Sequence, residues 1–176
     1  AVAGLRSEVE AVIGGRHEPS GTQKREIAFN AVPQVDVFLE GGGTNEEAKM
    51  ANETRKILAV PDLSISATCV RIPTFFGHAM AIWAEFAHPV NPTEARALIS
   101  AMPGVTVIDE PEKERYPTPL DAAGIDDVLV GRIRADDSRP GAIMLWAVTD
   151  SIRKGAATNV LQIIEEADRR GLIRAG

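Results

Sequence analysis

Apolar residues recur every three or four positions in two stretches of the first sixty residues, which is the spacing of one helix face. Residues 2–13 follow this pattern and stop at Gly14, so we predict an amphipathic helix there. The second stretch begins at Thr44, and Glu47 three residues later completes a capping box. We predict a helix to Leu58 whose inward stripe consists of Met50, Ala51, Thr54, Ile57 and Leu58.

Period-two alternation of apolar and polar residues predicts strands in much of the remaining chain. Polar residues 16–26 predict a loop after the first helix, and Pro33 divides the next β-prone stretch into two short pieces. Asn91 followed by a proline predicts the start of another helix, and Gly171 ends a predicted helix over residues 152–170. The predicted strands cover residues 27–39 (in two pieces), 63–72, 78–86, 104–108, 127–135 and 142–149.

The order of these elements indicates the fold class. Strands follow one another directly or are separated by single helices, without the regular strand–helix–strand alternation of a parallel sheet. We therefore predict an α+β fold, with a mostly antiparallel sheet and helices packed on one face. Alternation within residues 127–135 indicates a sheet whose other face meets water or a partner. No repeat or low-complexity tract divides residues 1–176, which we treat as one domain.

Composition and charge exclude several classes of protein. The 176 residues are 44% hydrophobic and 25% charged, which is typical of a globular domain. A net charge of −6 disfavours a nucleic-acid partner. We expect no membrane partner, because no apolar run approaches the roughly 18 residues of a spanning helix, and no signal peptide is visible. Cys69 is the single cysteine, which excludes an internal disulfide and fits a reducing, cytoplasmic setting. We expect no metal site.

Cys69 and His78 are the residue types of a thiol nucleophile and its base. Cys69 lies in an apolar alternating stretch, where cysteine packs as a small hydrophobic residue, and packing is the favoured interpretation. His78 follows Gly77 at the start of a predicted strand, where an accessible imidazole titrates near neutral pH. A histidine without a chemical role is the alternative at that position. We assign no role to His17 and His88.

Charged residues at three further positions are candidate ligands for a charged substrate. Arg71 stands between apolar neighbours in a predicted strand, so its guanidinium needs a carboxylate partner, either in the protein or in a ligand. Glu46 and Lys49 face the same way on the first turn of a predicted helix. They form either an exposed ion pair or a two-charge binding site. The start of the last predicted helix, near Ser151, offers free backbone N–H groups. This is only weak evidence for an anion-binding site, because every helix has such an end.

Five ordered blocks resemble the aspartate-semialdehyde dehydrogenase family and span the chain from about residue 27 to 165. The segment ISATCVRIPTFFGHAM resembles the family element C-V-R-I/V-P-x-x-x-G-H, and TNEEAKMANETRKIL resembles its E-E-x-K helix followed by E-T-x-K-I-L. The remaining blocks are IAFNAVPQVD, YPTPLDAAGIDDVLVGRIR and RKGAATNVLQIIE. The resemblance implies the C-terminal substrate-binding and dimerisation domain of these enzymes, whose fold is similar to that of the glyceraldehyde-phosphate dehydrogenases.

The resemblance also implies a reaction and roles for particular residues. The family reduces aspartyl 4-phosphate to aspartate 4-semialdehyde with NADPH, on the route to lysine, methionine, threonine and isoleucine. Arg71 matches the arginine that binds the substrate's α-carboxylate, and Glu46 matches the glutamate that receives its ammonium group. Lys49 matches the lysine that helps to bind phosphate. His78 matches the acid/base. The implied partners are substrate, phosphate and further copies of the chain in a homodimer or homotetramer.

The chain departs from the family pattern in two respects. No S-x-N-C-type element for the nucleophilic cysteine occurs, and no G-x-G-x-x-G occurs anywhere. We therefore expect the N-terminal NADP-binding domain to be absent from this chain, and the chain alone to be inactive. Ser151 stands where the family usually has an asparagine that contacts the nicotinamide end of NADP. This substitution weakens the assignment of Ser151 as a cofactor contact.

Two other hypotheses remain open at this point. A stand-alone dimerisation or interaction domain derived from the family would explain the missing nucleophile. A related acyl-phosphate reductase acting on another carboxylate is the second, and Glu46 disfavours it because that residue matches a binder of ammonium groups.

Overall fold

The computed structural model describes residues 2–17, 19 and 24–173, and the chain divides into two compact units, Ala1–Phe75 and Phe76–Gly176. The predicted loop over residues 16–26 lies partly outside the described residues. The helices are α1 (Val2–Ile13), α2 (Asn45–Leu58), α3 (Pro92–Ser100) and α4 (Thr158–Arg169), with a short 3-10 helix at Pro111–Lys113 and a π-helix at Arg153–Ala157. The strands are β1 (His78–Ala84), β2 (Val105–Val107), β3 (Val128–Ala135) and β4 (Ile143–Thr149).

Helix α2 begins where the sequence predicts it, because the capping box forms. The Thr44 side chain accepts a hydrogen bond from the Glu47 N–H at 3.3 Å, and the Glu47 carboxylate accepts one from the Thr44 N–H at 2.7 Å. The helix ends at Ala59, which adopts the left-handed conformation with φ 55°. The Ala59 N–H then bonds to the carbonyls of Arg55 and Lys56, closing the last turn.

The predicted inward stripe of α2 is wrong for this chain. Met50, Ile57 and Leu58 are 38%, 79% and 57% exposed, while Ala51 and Thr54 are half-buried. The helical period identifies an apolar face correctly, but it carries no information on what covers that face. Among the described residues, nothing buries the three large apolar side chains of this stripe.

Two regions that the sequence predicts as strands form only isolated bridges. Within residues 27–39 these are Val32 with Arg71 and Phe38 with Thr44. Within residues 63–72 the side chains alternate between half-buried and exposed, as they would in a strand, but only Arg71 pairs through its backbone. A strand ladder needs a continuous partner, and the described residues of the first unit supply only single pairs.

The second unit contains a four-stranded sheet in the order β1-β4-β3-β2. β1 and β3 both pair with β4 in antiparallel fashion, whereas β2 pairs with β3 in parallel. The predicted α+β class is therefore confirmed, with a sheet that is mixed because of one parallel edge pair. The strands predicted over residues 78–86, 104–108, 127–135 and 142–149 are all present, each slightly shorter than predicted.

Helix α3 covers one face of this sheet. Ala95 of α3 joins the buried residues Val130, Ile133, Ile143 and Ala147, and Ile99 packs against the same cluster. The opposite face carries a smaller buried cluster of Ala122, Leu129 and Val148. The rest of that outer face is open.

The predicted helix over residues 152–170 consists of two parts. Its first turns form the π-helix, in which the Gly155 N–H bonds to the Asp150 carbonyl and the Ala157 N–H bonds to the Ile152 carbonyl, both at 2.9 Å. Helix α4 continues from there. Such i→i+5 turns are rare and often lie at functional sites. None of the helices in the described ranges combines the length and hydrophobicity that crossing a bilayer requires.

Candidate functional site

The first turn of α2 carries two of the predicted substrate-binding residues as an ion pair. Lys49 Nζ lies 3.0 Å from Glu46 Oε2, and the side chains are 49% and 34% exposed. This pair, first of all through its hydrogen bond, raises the pKa of Lys49. An exposed pair of this kind contributes little to stability. Both groups therefore remain open to a charged ligand at small energetic cost.

Arg71 is held by its backbone in the extended segment that follows α2. The Arg71 N–H and carbonyl both bond to Val32, each at 2.9 Å. The Arg71 side chain is half-buried and alternates with the exposed Val70 and Ile72. A backbone fixed on both sides restricts where the guanidinium can point.

Glu47 links this extended segment to α2. One carboxylate oxygen, Oε2, closes the capping box, while the other, Oε1, accepts a hydrogen bond from the Cys69 N–H at 2.9 Å. The hydrogen bonds from Thr44 and then from Cys69 lower the pKa of Glu47. The same residue therefore starts the helix of Glu46 and Lys49 and fixes the backbone two residues before Arg71.

Asp36 is a further candidate that the sequence did not reveal. It adopts a left-handed backbone conformation with φ 67°, and its carboxylate accepts hydrogen bonds from Asn45 at 2.6 Å and from the Val37 N–H at 2.8 Å. Those bonds, followed by the nearby charges of Lys49 and Arg71, lower the pKa of Asp36. Both predicted cationic ligands thus act electrostatically on the same carboxylate. A lone aspartate in a loop gives no sequence signal for this position.

In the second unit, His78 opens β1 and lies opposite Thr149, the last residue of β4. Its side chain is exposed. A Cβ atom placed on Gly155 of the π-helix would lie 3.9 Å from His78 Nδ1 and 4.0 Å from Ser151 Cβ. The structure therefore brings His78 and Ser151, two of the predicted site residues, to the same glycine.

Two aspartates hold the segment that carries Ser151 and Gly155. The buried Asp150 carboxylate accepts hydrogen bonds from the N–H groups of Gly124, Ile152 and Arg153 at 2.7–3.0 Å, which lower its pKa. Asp126 accepts bonds from the Arg153 guanidinium and the Thr158 hydroxyl, all at 2.7 Å. Neither aspartate stands out in the sequence, because their partners are backbone groups or distant in the chain.

Cys69 has the setting of a packed residue. Burial, together with the negative charges of Glu47 and Glu46, raises the pKa of its thiol. A nucleophilic cysteine needs the opposite shift, towards the thiolate. Within the residues that the structure describes, no group of three or more His, Cys, Asp and Glu side chains is arranged to hold a metal ion.

The open outer face of the sheet forms an aromatic groove of about 380 Å³. Arg132 enters it with a left-handed φ of 55°, at the register shift between Gly131 and Arg134, and its guanidinium lies 6.0 Å from the centre of the Tyr116 ring. We call this surface the outer groove. The side chains that form it include Trp83, Tyr116, Arg132, Arg134, Met144 and Trp146.

Comparison with known proteins gives consistent matches over almost the whole chain. Residues 1–154 match the family described as "Semialdehyde dehydrogenase, dimerisation domain". The aspartate-semialdehyde dehydrogenase of Aquifex aeolicus (strain VF5) is 46% identical over 98% of this chain and 51% of that protein. Aspartate semialdehyde dehydrogenase II from Vibrio cholerae, solved complexed with ASA, matches with a TM-score of 0.90 and 38% identity, over 96% of this chain and 49% of that one.

A more distant structure agrees in fold alone. Aspartate semialdehyde dehydrogenase from Candida albicans, solved with NADP, matches with a TM-score of 0.68 and 22% identity, over 98% of this chain and 57% of that one. The mixed sheet with α3 on one face is thus the fold of an α+β dehydrogenase domain. The chain belongs to the semialdehyde dehydrogenase family, in its dimerisation domain. It spans about half the length of the curated relatives that it matches, and the family predicted from the sequence is confirmed.

Proposed function

We propose that this chain is the substrate-binding and dimerisation part of an NADP-dependent aspartate-semialdehyde dehydrogenase. The complete enzyme, meaning this chain together with a nucleotide-binding half, would convert aspartyl 4-phosphate to L-aspartate 4-semialdehyde reversibly, with release of phosphate, on the route to lysine, methionine, threonine and isoleucine. The observation that carries this proposal is the Glu46–Lys49 ion pair, together with the Glu47 bond to the Cys69 N–H two residues before Arg71, in a chain of this family.

The charges of this cluster suit the two ends of the substrate. The planar guanidinium of Arg71 can donate two parallel hydrogen bonds to an α-carboxylate. Glu46 offers a carboxylate to the ammonium group, and Lys49 offers a compact positive charge to phosphate. Substrate binding would replace the exposed Glu46–Lys49 pair, which is inexpensive to open.

We assign the acid/base role to His78. Its imidazole is exposed at the start of β1, and a Cβ atom placed on Gly155 would lie 3.9 Å from Nδ1. A neutral imidazole can take a proton from a thiol, and the protonated form can return it to a departing group. The cysteine that it serves would belong to the nucleotide-binding half, since Cys69 is a packing residue here.

NADP would contact this chain only at its edge. When bound, NADP supplies the hydride acceptor or donor of the reaction. The Ser151 hydroxyl, two residues before the π-helix and near the same glycine as His78, suits a single polar contact to the nicotinamide end. It is shorter than the amide usual in the family, and the rest of the cofactor would lie on the other half.

For the partner, we propose that a second copy of the chain packs on the outer groove, giving a homodimer or a homotetramer built from such dimers. Trp83 and Tyr116 are 49% and 41% exposed there, and Arg132 lies over the Tyr116 ring. Exposed aromatic and arginine side chains clustered at one surface are typical of interface centres. The family to which the chain belongs is a dimerisation domain, which supports the same assignment.

The test is an assay of the complete enzyme for NADPH formation that requires both L-aspartate 4-semialdehyde and phosphate. Succinate semialdehyde, which lacks the ammonium group, should be a poor substrate, and Glu46→Gln should reduce the preference between the two by about tenfold or more. Glu10→Gln, at an exposed position of α1 in the same unit, is the control and should keep the preference. Absence of phosphate-dependent turnover would overturn the proposal.

A further inference from the structure

Glu47 occupies a position between the two parts of the substrate-binding cluster. It directly follows Glu46 and precedes Lys49 by two residues on the first turn of α2. Through Oε1 it also reaches the Cys69 N–H, twenty-two residues further along the chain. A capping glutamate needs only one oxygen for its own helix, so the second bond has another consequence.

Both oxygens of the Glu47 carboxylate are committed to different backbone groups. Oε2 lies 2.7 Å from the Thr44 nitrogen and Oε1 lies 2.9 Å from the Cys69 nitrogen. Only a carboxylate of this length offers two acceptor atoms at once, because the amide of glutamine has one acceptor oxygen and one donor. Thr44 is almost fully buried, at 1% exposure, so the cap end of this link is fixed by packing.

The second bond fixes the main chain next to Arg71. Cys69 is anchored by Glu47, and Arg71 is anchored by its two bonds to Val32, so backbone contacts on both sides of Val70 define this short segment. The rest of residues 63–70 has no strand partner among the described residues. Arg55 of α2 holds the start of this stretch through the Leu63 carbonyl, so Glu47 supplies the α2 contact nearest to Arg71.

We propose that Glu47 is a positioning residue, which sets the distance between the Glu46–Lys49 pair and the Arg71 guanidinium. It touches no substrate and acts through Arg71. A substrate whose ammonium and carboxylate groups share one carbon needs their protein partners at a fixed separation. Displacement of a binding group by about 1 Å is enough to cost up to 10²-fold in rate or affinity. This inference rests on the proposed function of Arg71 and Glu46.

The experiment compares Glu47→Gln with Thr44→Val in the complete enzyme. Thr44→Val removes the hydroxyl that caps α2 but leaves the Cys69 bond in place, so it reports on helix capping alone. Glu47→Gln should raise the KM for L-aspartate 4-semialdehyde by about tenfold and change kcat by less than about threefold. Thr44→Val should lower the melting temperature while leaving both constants within about twofold of the wild type. Equal effects of the two variants on KM would show that Glu47 acts only as a helix cap, and would overturn the proposal.

Two further measurements distinguish positioning of Arg71 from an effect on helix capping. Because Glu47 acts through Arg71, adding Glu47→Gln to an Arg71→Lys variant should raise KM no further, whereas independent effects would multiply. Amide hydrogen exchange at Cys69 should accelerate in Glu47→Ala, which keeps neither acceptor oxygen, and remain slow in Thr44→Val. Unchanged exchange in Glu47→Ala would overturn the proposal even if turnover is normal. Absence of turnover in the wild type with a protected Cys69 amide would instead count against the proposed function.

Discussion

Thr149 lies directly opposite His78 in the ladder between β1 and β4, and its buried hydroxyl has no hydrogen-bond partner among the residues that the structure describes. A buried unpaired hydroxyl costs about 1–3 kcal/mol relative to an apolar group of the same shape. Thr149→Val should therefore leave the melting temperature of the complete enzyme unchanged or raise it. The neighbouring Val148, 1% exposed, gives the converse variant, Val148→Thr, which should lower it. Similar losses in both variants would show that Thr149 has a partner.

The acid/base assignment predicts a kinetic effect at His78. Removal of a general acid/base costs about 10²–10⁴-fold in rate, so His78→Asn in the complete enzyme should lower kcat by about 10²-fold or more. His88→Asn is the matched control, because His88 is exposed and has no proposed role. Steady-state kinetics with saturating semialdehyde and phosphate provide the measurement. A kcat for His78→Asn close to that of His88→Asn would remove the assignment.

The ion pair that holds the π-helix predicts a pH dependence of stability. Hydrogen bonds from Arg153 and then from Thr158 lower the pKa of Asp126 to about 2 from an ordinary value of 3.8. Since the pKa is lowered on folding, the stabilisation is complete above pH 3.8 and is lost as the pH falls towards about 2. Denaturant unfolding of the complete enzyme across this range should show a smaller loss of stability for Asp126→Asn than for the wild type. Parallel curves would mean that Asp126 is not paired in this way.

The sequence alone was enough to predict those helices and strands that are determined by residues close together in the chain. The capping box at Thr44 and Glu47 and the asparagine–proline start of α3 at Asn91 determine where helices begin, and both are found. The four strands of the second unit were predicted from short apolar stretches between turn signals, with clear alternation in residues 127–135. The parallel pairing of β2 with β3 was not, because it depends on contacts that period-two patterns do not encode.

Other features depend on partners that are distant in the chain or lie outside it. Residues 63–72 have the alternation of a strand, yet they lack a ladder, and the apolar stripe of α2 is exposed. In the candidate site, too, some residues were predictable from the sequence and others were not. Glu46, Lys49, Arg71 and His78 were predicted as site residues from the motif resemblance, whereas the Cys69 bond of Glu47 and the Asn45 bond of Asp36 depend on tertiary contacts. No spacing of residues in the sequence predicts such contacts.

The outer groove predicts a loss of assembly on truncation of its aromatic residues. Truncation of a central aromatic residue typically weakens an interface by about 2 kcal/mol or more, roughly 30-fold in Kd. Trp83→Ala should therefore raise the dimer dissociation constant of the complete enzyme by about that factor, as measured by analytical ultracentrifugation. Phe86→Ala removes a similarly exposed aromatic residue that does not line the groove, and its constant should stay near that of the wild type. Equal constants for Trp83→Ala and the wild type would place the interface elsewhere.

The central claim is that Arg71 binds the substrate's carboxylate through its planar fork, and substitution by lysine tests it most directly. Arg71→Lys keeps the charge but loses the two parallel hydrogen bonds, so kcat/KM for L-aspartate 4-semialdehyde should fall by about 10²-fold, mainly through KM. Arg16→Lys, at an exposed position of the same unit, should have no effect. A KM for Arg71→Lys within about twofold of the wild type would contradict the account.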